Sequence, residues 1–149
     1  GDPLTLVAGG RSAPLLPIGG DLFRTTHPAF RAFTLKVERT NRAITGASWG
    51  PNSYLRAGTV GTLPRSDPAL ARLAGRYVND SPWWGIFTLV ERGGRLWLGT
   101  ETPMAPISGN LWRIGSESWS PERGEFANFI DGRPQTFILS GNVFARQDV

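Results

Sequence analysis

Hydrophobic residues along this chain fall in short runs, and glycine, proline and asparagine separate one run from the next. Short apolar or alternating runs between turn residues are typical of an antiparallel β protein. In the second half of the chain the pattern predicts an opening strand that contains Tyr77 and further strands at 84–91, 95–98, 104–107, 111–114, 125–130, 135–139 and 142–146. Gly93-Gly94 and Asp131-Gly132 tolerate the positive φ angles of tight hairpins, so successive strands are predicted to form a meander.

The pattern nearly repeats itself along the chain. Three segments return later in the same order, 9–11 at 93–95, 17–24 at 106–113 and 52–56 at 142–146. In the second of these, PIGGDLFR returns as PISGNLWR after 89 positions, from 17 to 106. We interpret the two copies as related β units, and the small differences in spacing as loop insertions. Repeated positions are mostly scaffold, so functional residues are sought where the copies differ.

One segment between the two copies is predicted to be helical. Asp67 suits an N-cap, Pro68 the first helical position and Gly75 the stop of a helix within 66–75. Because a helix this short is not stable alone, we expect it to pack through Leu70 and Leu73.

We therefore divide the chain into a first β unit at 1–58, a linker with a short helix at 59–72 and a second β unit at 73–149. Gly1 aligns with Gly85, so the first unit lacks a counterpart of the opening strand. We predict that this strand lies upstream of Gly1, on another chain or on a removed segment, since an unpaired sheet edge invites pairing. The isolated chain is then expected to be poorly stable or dimeric. The spacing leaves open whether the units close one barrel or two.

Composition excludes several classes of function. The chain has no cysteine, which excludes disulfides, thiol catalysis and cysteine-ligated zinc. Its net charge is +4, but its arginines are scattered, so binding to nucleic acid is not expected. Lys36 is the only lysine among 16 basic residues, a bias that fits a GC-rich bacterial genome. The longest apolar run, at 83–90, is too short to span a membrane.

Six segments of the second unit resemble a known module: LAGRY at 73–77, GGRLWL at 93–98, PI at 106–107, LWR at 111–113, DGR at 131–133 and FAR at 144–146. They are similar to the C-terminal lipocalin-like β-barrel of β-lactamase-related serine hydrolases, a family of penicillin-binding-protein-like peptidases, D-aminopeptidases and class C-type esterases. The resemblance covers 73–149 well and 4–57 weakly. It implies an all-β fold, in which an antiparallel meander forms one or two lipocalin-like barrels and a short helix links two tandem repeat units.

The resemblance also implies a partner. In such enzymes a catalytic domain with a Ser-x-x-Lys nucleophile precedes the barrel, and the barrel covers its cleft and can assist oligomerisation. This chain would then be a noncatalytic accessory region that packs on the catalytic domain and limits substrate access. We expect a bacterial origin, with a periplasmic or secreted location favoured over the cytoplasm.

No catalytic residue is predicted within the chain itself. Phe33 stands three residues before Lys36, the only lysine, so the chain has no Ser-x-x-Lys. Gly46-Ala47-Ser48-Trp49-Gly50 matches the nucleophile elbow Gly-x-Ser-x-Gly of other hydrolases. That motif needs a helix after the serine and a histidine later in the chain, whereas here Pro51 follows and the only histidine, His27, comes first.

Two further features do not predict a catalytic or metal site. Tyr77-Val78-Asn79 matches a Tyr-x-Asn element of the family by letters, but it lies in the opening strand, where Tyr77 is expected to pack. His27 has no companion ligands, so neither a metal site nor a cofactor is predicted. It is either a structural loop residue or a ligand contact, a base or a pH sensor.

The candidate ligand or partner contacts are Trp83, Trp84, Trp119 and His27. Trp97 and Trp112 fall inside predicted strands and are expected in the core. The other three tryptophans of the second unit lie in loops or at a strand entrance. There they either plug the barrel ends or contact a ligand or partner, because tryptophan is enriched at interface anchors.

Two alternatives to the accessory role stay open. One is a free-standing small β-barrel that binds an apolar ligand, although 11% aromatic residues favour a plugged barrel. The other is a self-sufficient hydrolase that uses Ser48 and His27.

Overall fold

A computed structural model describes residues 4–147 of the chain. These residues form fourteen β-strands and one short α-helix, which confirms the predicted all-β fold with two repeat units and a linking helix. The chain divides into two compact units, Gly1–Leu63 (unit 1) and Pro64–Val149 (unit 2). None of the helices among the described residues is long and apolar enough to cross a membrane.

Unit 1 is an open antiparallel sheet. Its six strands pair in chain order: β1 (Thr5–Ala8), β2 (Arg11–Gly19), β3 (Leu22–Thr25), β4 (Leu35–Thr40), β5 (Ala43–Trp49) and β6 (Asn52–Leu55). The buried hydrophobic side chains within its described part are Ala13, Leu35 and Val37. Unit 1 therefore buries little apolar surface of its own, as a single-layer sheet must.

Unit 2 is a closed eight-stranded barrel. It contains helix α1 (Pro68–Ala71) and the strands β7 (Gly75–Val78), β8 (Ile86–Glu91), β9 (Leu96–Leu98), β10 (Thr102–Ser108), β11 (Leu111–Ile114), β12 (Arg123–Ile130), β13 (Arg133–Leu139) and β14 (Asn142–Gln147). Each strand pairs with the next, and β14 returns to pair with β7 through Arg146↔Tyr77. Asp131 and Gly132 adopt φ angles of 49° and 74° in the β12–β13 turn, as the sequence predicted.

The interior of the barrel is filled by large side chains. Nine buried residues form one core: Tyr77, Leu89, Leu96, Met104, Trp112, Ile114, Phe126, Phe137 and Phe144. The aromatic rings pack closely, with Phe126 and Phe137 centroids 4.8 Å apart. At Gly124 a Cβ atom would lie 2.1 Å from the Phe137 ring, so this strand position requires glycine.

The sequence predicted Trp97 in the core, but its side chain lies on the outer face of the barrel. It lies between Leu96 and Leu98, both of which contact the core, so the alternation of a strand turns its side chain to the outer face. There its ring lies 4.5 Å below the Arg92 guanidinium and its Nε1 donates to the Arg92 carbonyl oxygen at 3.2 Å.

Helix α1 packs on the barrel core as predicted. The Asp67 side chain caps it by accepting a hydrogen bond from the Ala69 amide at 2.8 Å, and Leu70 and Leu73 contact the core. The helix ends at Ala71, before the predicted stop at Gly75, which instead begins β7. Between them the Arg146 guanidinium donates to the carbonyl oxygens of Arg72 and Ala74.

The internal repeat is also visible in the strand register. β2 and β3 shift register between Pro17 and Gly19, and β10 and β11 shift between Pro106 and Ser108, 89 positions later. Later pairs match as well, since Ser48↔Ser53 corresponds to Ile138↔Val143 after 90 positions. The β1–β2 hairpin matches β8–β9 in the same way, since Thr5↔Pro14 corresponds to Leu89↔Leu98 after 84 positions. Unit 1 therefore corresponds to β8–β14, and its described part contains no counterpart of the opening strand β7.

Candidate functional site

Three exposed tryptophans lie at one end of the barrel. Neighbouring strands of the meander run in opposite directions, so the loops after β7 and β11 leave the same end. Trp83 and Trp84 lie in the β7–β8 loop and are 90% and 49% exposed, and Trp119 in the β11–β12 loop is 78% exposed. We call these two loops, at 79–85 and 115–122, the tryptophan loops.

The β7–β8 loop is held in a defined turn. The Asn79 side chain donates to the Val143 carbonyl oxygen at 2.7 Å and accepts from the Ser81 amide at 2.7 Å. The Trp84 amide then donates to the Ser81 carbonyl oxygen at 3.2 Å. These contacts tie the loop backbone to β14, so the two indoles project from an anchored turn.

The β11–β12 loop is anchored in the same way. The Ser120 side chain is buried, and its hydroxyl donates to the Ile114 carbonyl oxygen at 2.6 Å. The Arg123 guanidinium donates to the carbonyl oxygens of Ser120 and Glu122. Glu117 accepts a hydrogen bond from the Ser116 hydroxyl, which lowers the pKa of this exposed carboxyl. Trp119 therefore stands on a turn that these side-chain hydrogen bonds hold in place.

The three indoles lie outside the barrel interior. The interior is occupied by the nine core residues, so Trp83 and Trp119 do not fill it. Trp83 and Trp119 are thus two large apolar side chains that are exposed on loops at one end of the barrel.

Ser48 lies in a strand, and its hydroxyl is bound to a carboxylate. It is 2% exposed in the interior of β5, and its hydroxyl donates to the Glu38 carboxylate at 3.0 Å. A nucleophile elbow needs a sharp turn from strand to helix at the serine, whereas β5 continues to Trp49.

His27 is a buried loop residue whose ring nitrogens both bind backbone. Its Nε2 lies 3.1 Å from the Ala8 carbonyl oxygen, and its Nδ1 accepts from the Ala29 amide at 3.2 Å. This pairing places the ring proton on Nε2. The ring also packs edge-on against Phe30, with centroids 5.5 Å apart. The structure does not bring His27 and Ser48 into a hydrogen bond with each other.

Tyr77 is part of the core. It is fully buried, and its hydroxyl donates to the Leu73 carbonyl oxygen at 2.8 Å. Burial raises its pKa to about 12, and the nearby Arg146 offsets only part of that rise. Among residues 4–147 no cluster of three or more histidine and carboxylate side chains is placed to hold a metal ion.

Comparisons with protein-family models, with curated proteins and with solved structures found no match for this chain.

Proposed function

We propose that this chain is a noncatalytic interaction module that contacts its partner through the tryptophan loops. The observation that carries the proposal is the exposure of Trp83, Trp84 and Trp119 on anchored loops at one end of the barrel. Buried tryptophans at interfaces are among the residues that contribute most to binding, and exposed ones on a monomer mark such a surface.

The filled interior favours this role over that of a carrier of an apolar ligand inside the barrel. Tyr77, Phe126, Phe137 and Phe144 are each at most 1% exposed and occupy the space that a ligand would need. A self-sufficient hydrolase is also disfavoured, because Ser48 and His27 bind Glu38 and backbone groups instead of each other.

The partner we propose is the catalytic domain of a β-lactamase-related serine hydrolase, with its Ser-x-x-Lys nucleophile. The resemblance of 73–149 to the accessory barrel of these enzymes supports this choice. In that arrangement the tryptophan loops would pack beside the active-site cleft and limit the substrates that enter it.

The test begins with the chain purified from its native source. We expect it to run in size-exclusion chromatography with a polypeptide that mass spectrometry identifies by a Ser-x-x-Lys motif. A compact monomer that runs alone would overturn the proposal.

The tryptophan loops are then tested by binding. Replacing both Trp83 and Trp119 with alanine should weaken the affinity for that polypeptide at least about tenfold, since interface tryptophans are frequent hot spots. Ile130→Ser is the matched control, because Ile130 is also apolar and 61% exposed but lies at the opposite end of the barrel. Equal affinity of the double variant and the wild-type chain would contradict the role of these loops.

A further inference from the structure

The wall of the barrel is incompletely paired between β9 and β10. Two residue pairs join these strands, Thr102↔Leu98 and Pro103↔Trp97. Beyond Pro103, β10 continues to Ser108 and pairs with β11. Pro103 and Pro106 have no N–H to donate to a ladder, which explains why the pairing is weak at this point.

A cleft of about 570 Å³ lies along this part of the wall, within unit 2. Its accessible apolar lining comes from Leu70 and Pro103, which are partly buried, and from Pro106, which is exposed. Arg95 and Arg113 also line it. The cleft thus combines an apolar surface with two cationic side chains, and its volume lies in the range of small-molecule sites.

Arg113 is partly buried, and one donor of its guanidinium is unpaired. Its Nε is the one buried side-chain nitrogen or oxygen without a hydrogen-bond partner among residues 4–147. Its neighbour across the ladder on β12 is another arginine, Arg123, whose own guanidinium binds the backbone carbonyl oxygen of Glu122 at 3.0 Å. Like charges directly opposite each other on a sheet destabilise it, and an unpaired buried donor adds a further cost. An anion at the guanidinium of Arg113 would offset the repulsion between the two arginines.

We propose that this cleft binds a small monocarboxylate with an apolar tail. The carboxylate would accept hydrogen bonds from the Arg113 guanidinium, whose planar donors match its two oxygens. The tail would lie against Leu70, Pro103 and Pro106. A single negative charge fits best, because the Asp67 carboxylate also lines the cleft and would repel a more highly charged anion. The cleft borders one tryptophan loop at Gly115 and Ser116, but binding in it does not depend on the proposed partner.

Decanoate is a suitable probe of this site. We expect titration calorimetry of the full chain to show saturable binding of one decanoate per chain, accompanied by a change in tryptophan fluorescence because Trp112 lines the cleft. Arg113→Gln should weaken decanoate binding at least about tenfold, because it removes a charge-assisted bidentate contact. Arg133→Gln is the matched control, since it makes the same charge change at an exposed position outside the cleft, and its affinity should equal that of the wild-type chain. Decanol, which lacks the charge, should bind weakly and equally to all three proteins.

A second variant tests the cleft without changing its charge. Ala105 lines the cleft on β10 and is only partly buried, so Ala105→Phe should fill the space and abolish decanoate binding while the barrel stays folded. Circular dichroism confirms the fold of each variant, and Ala105→Phe carries the test if Arg113→Gln does not fold. The proposal is wrong if decanoate does not saturate the wild-type chain at millimolar concentration. It is equally wrong if a folded Arg113→Gln or Ala105→Phe variant binds decanoate as the wild-type chain does.

Discussion

Tyr77 connects a single side chain to the stability of the whole barrel. It is fully buried, its hydroxyl donates to the Leu73 carbonyl oxygen, and burial raises its pKa from 10.0 to about 12. Between these two pH values the unfolded chain loses the phenol proton while the folded chain keeps it. The free energy of unfolding therefore falls as pH rises from 10 to 12, by at most about 3 kcal/mol.

Denaturant unfolding of unit 2 at several pH values between 9 and 12 measures this effect. Tyr77→Phe should lose some stability at pH 9, because the bond to Leu73 is absent, and should show a smaller loss from pH 10 upward. Tyr54→Phe is the matched control, since Tyr54 is 42% exposed and belongs to unit 1. If Tyr77→Phe shows the same pH dependence as the wild-type chain, Tyr77 is not the group responsible.

At the scale of elements, Glu91 joins the linking helix to the barrel. This carboxylate at the end of β8 is 5% exposed and accepts three hydrogen bonds, from the Ser66 hydroxyl at 2.5 Å, the Asp67 amide at 3.1 Å and the Gly94 amide at 2.7 Å. One side chain thus holds both the start of α1 and the β8–β9 turn. The segment before the helix is fixed by tertiary contact and not by its own propensity.

Substitutions at Glu91 should separate charge from hydrogen bonding. Glu91→Ala leaves the Asp67 and Gly94 amides without their acceptor, so we expect unit 2 to lose about 2–4 kcal/mol of stability in urea unfolding. Glu91→Gln can keep an acceptor for both amides and should cost roughly 1 kcal/mol. Equal stabilities for the alanine and glutamine variants would show that these bonds do not hold the turn.

At the scale of the whole molecule, the two units differ in how much core each one contains. All nine residues of the core cluster belong to unit 2, whose barrel closes on itself. Unit 1 is an open sheet with exposed apolar side chains on β2 and β6, among them Leu16 at 49% and Tyr54 at 42%. A domain folds independently when it has its own core.

We therefore expect a chain of residues 64–149 to fold without unit 1. Its thermal transition, followed by near-ultraviolet circular dichroism of the core aromatic residues, should be cooperative and lie within about 5 °C of the transition of unit 2 in the full chain. A chain of residues 1–63 is the comparison and should not unfold cooperatively on its own. Loss of the transition in 64–149 would mean that the barrel depends on unit 1 for its stability.

Much of this fold follows from local sequence. The strand over Leu111–Ile114 has the predicted bounds, and Asp67 and Pro68 start the helix where their cap geometry requires. The turn at Asp131-Gly132 has the positive φ angles that these residue types predict. Such features depend on a few neighbouring residues, so the sequence alone determines them.

The rest depends on residues that are far apart in the sequence. Closure of one barrel rests on the pairing of Arg146 with Tyr77, and no local pattern distinguishes this from the open sheet of unit 1. Trp97 turned outward because the neighbouring leucines occupy the core. The sequence left open whether Trp83 and Trp119 plug the ends of the barrel or are exposed on its loops, and the structure shows them exposed. The cleft could not be predicted, because Arg123 lies opposite Arg113 only through the pairing of β11 with β12. The alternation of apolar residues determined the strands, whereas the register between distant strands decided which side chains were buried, exposed or left without a partner.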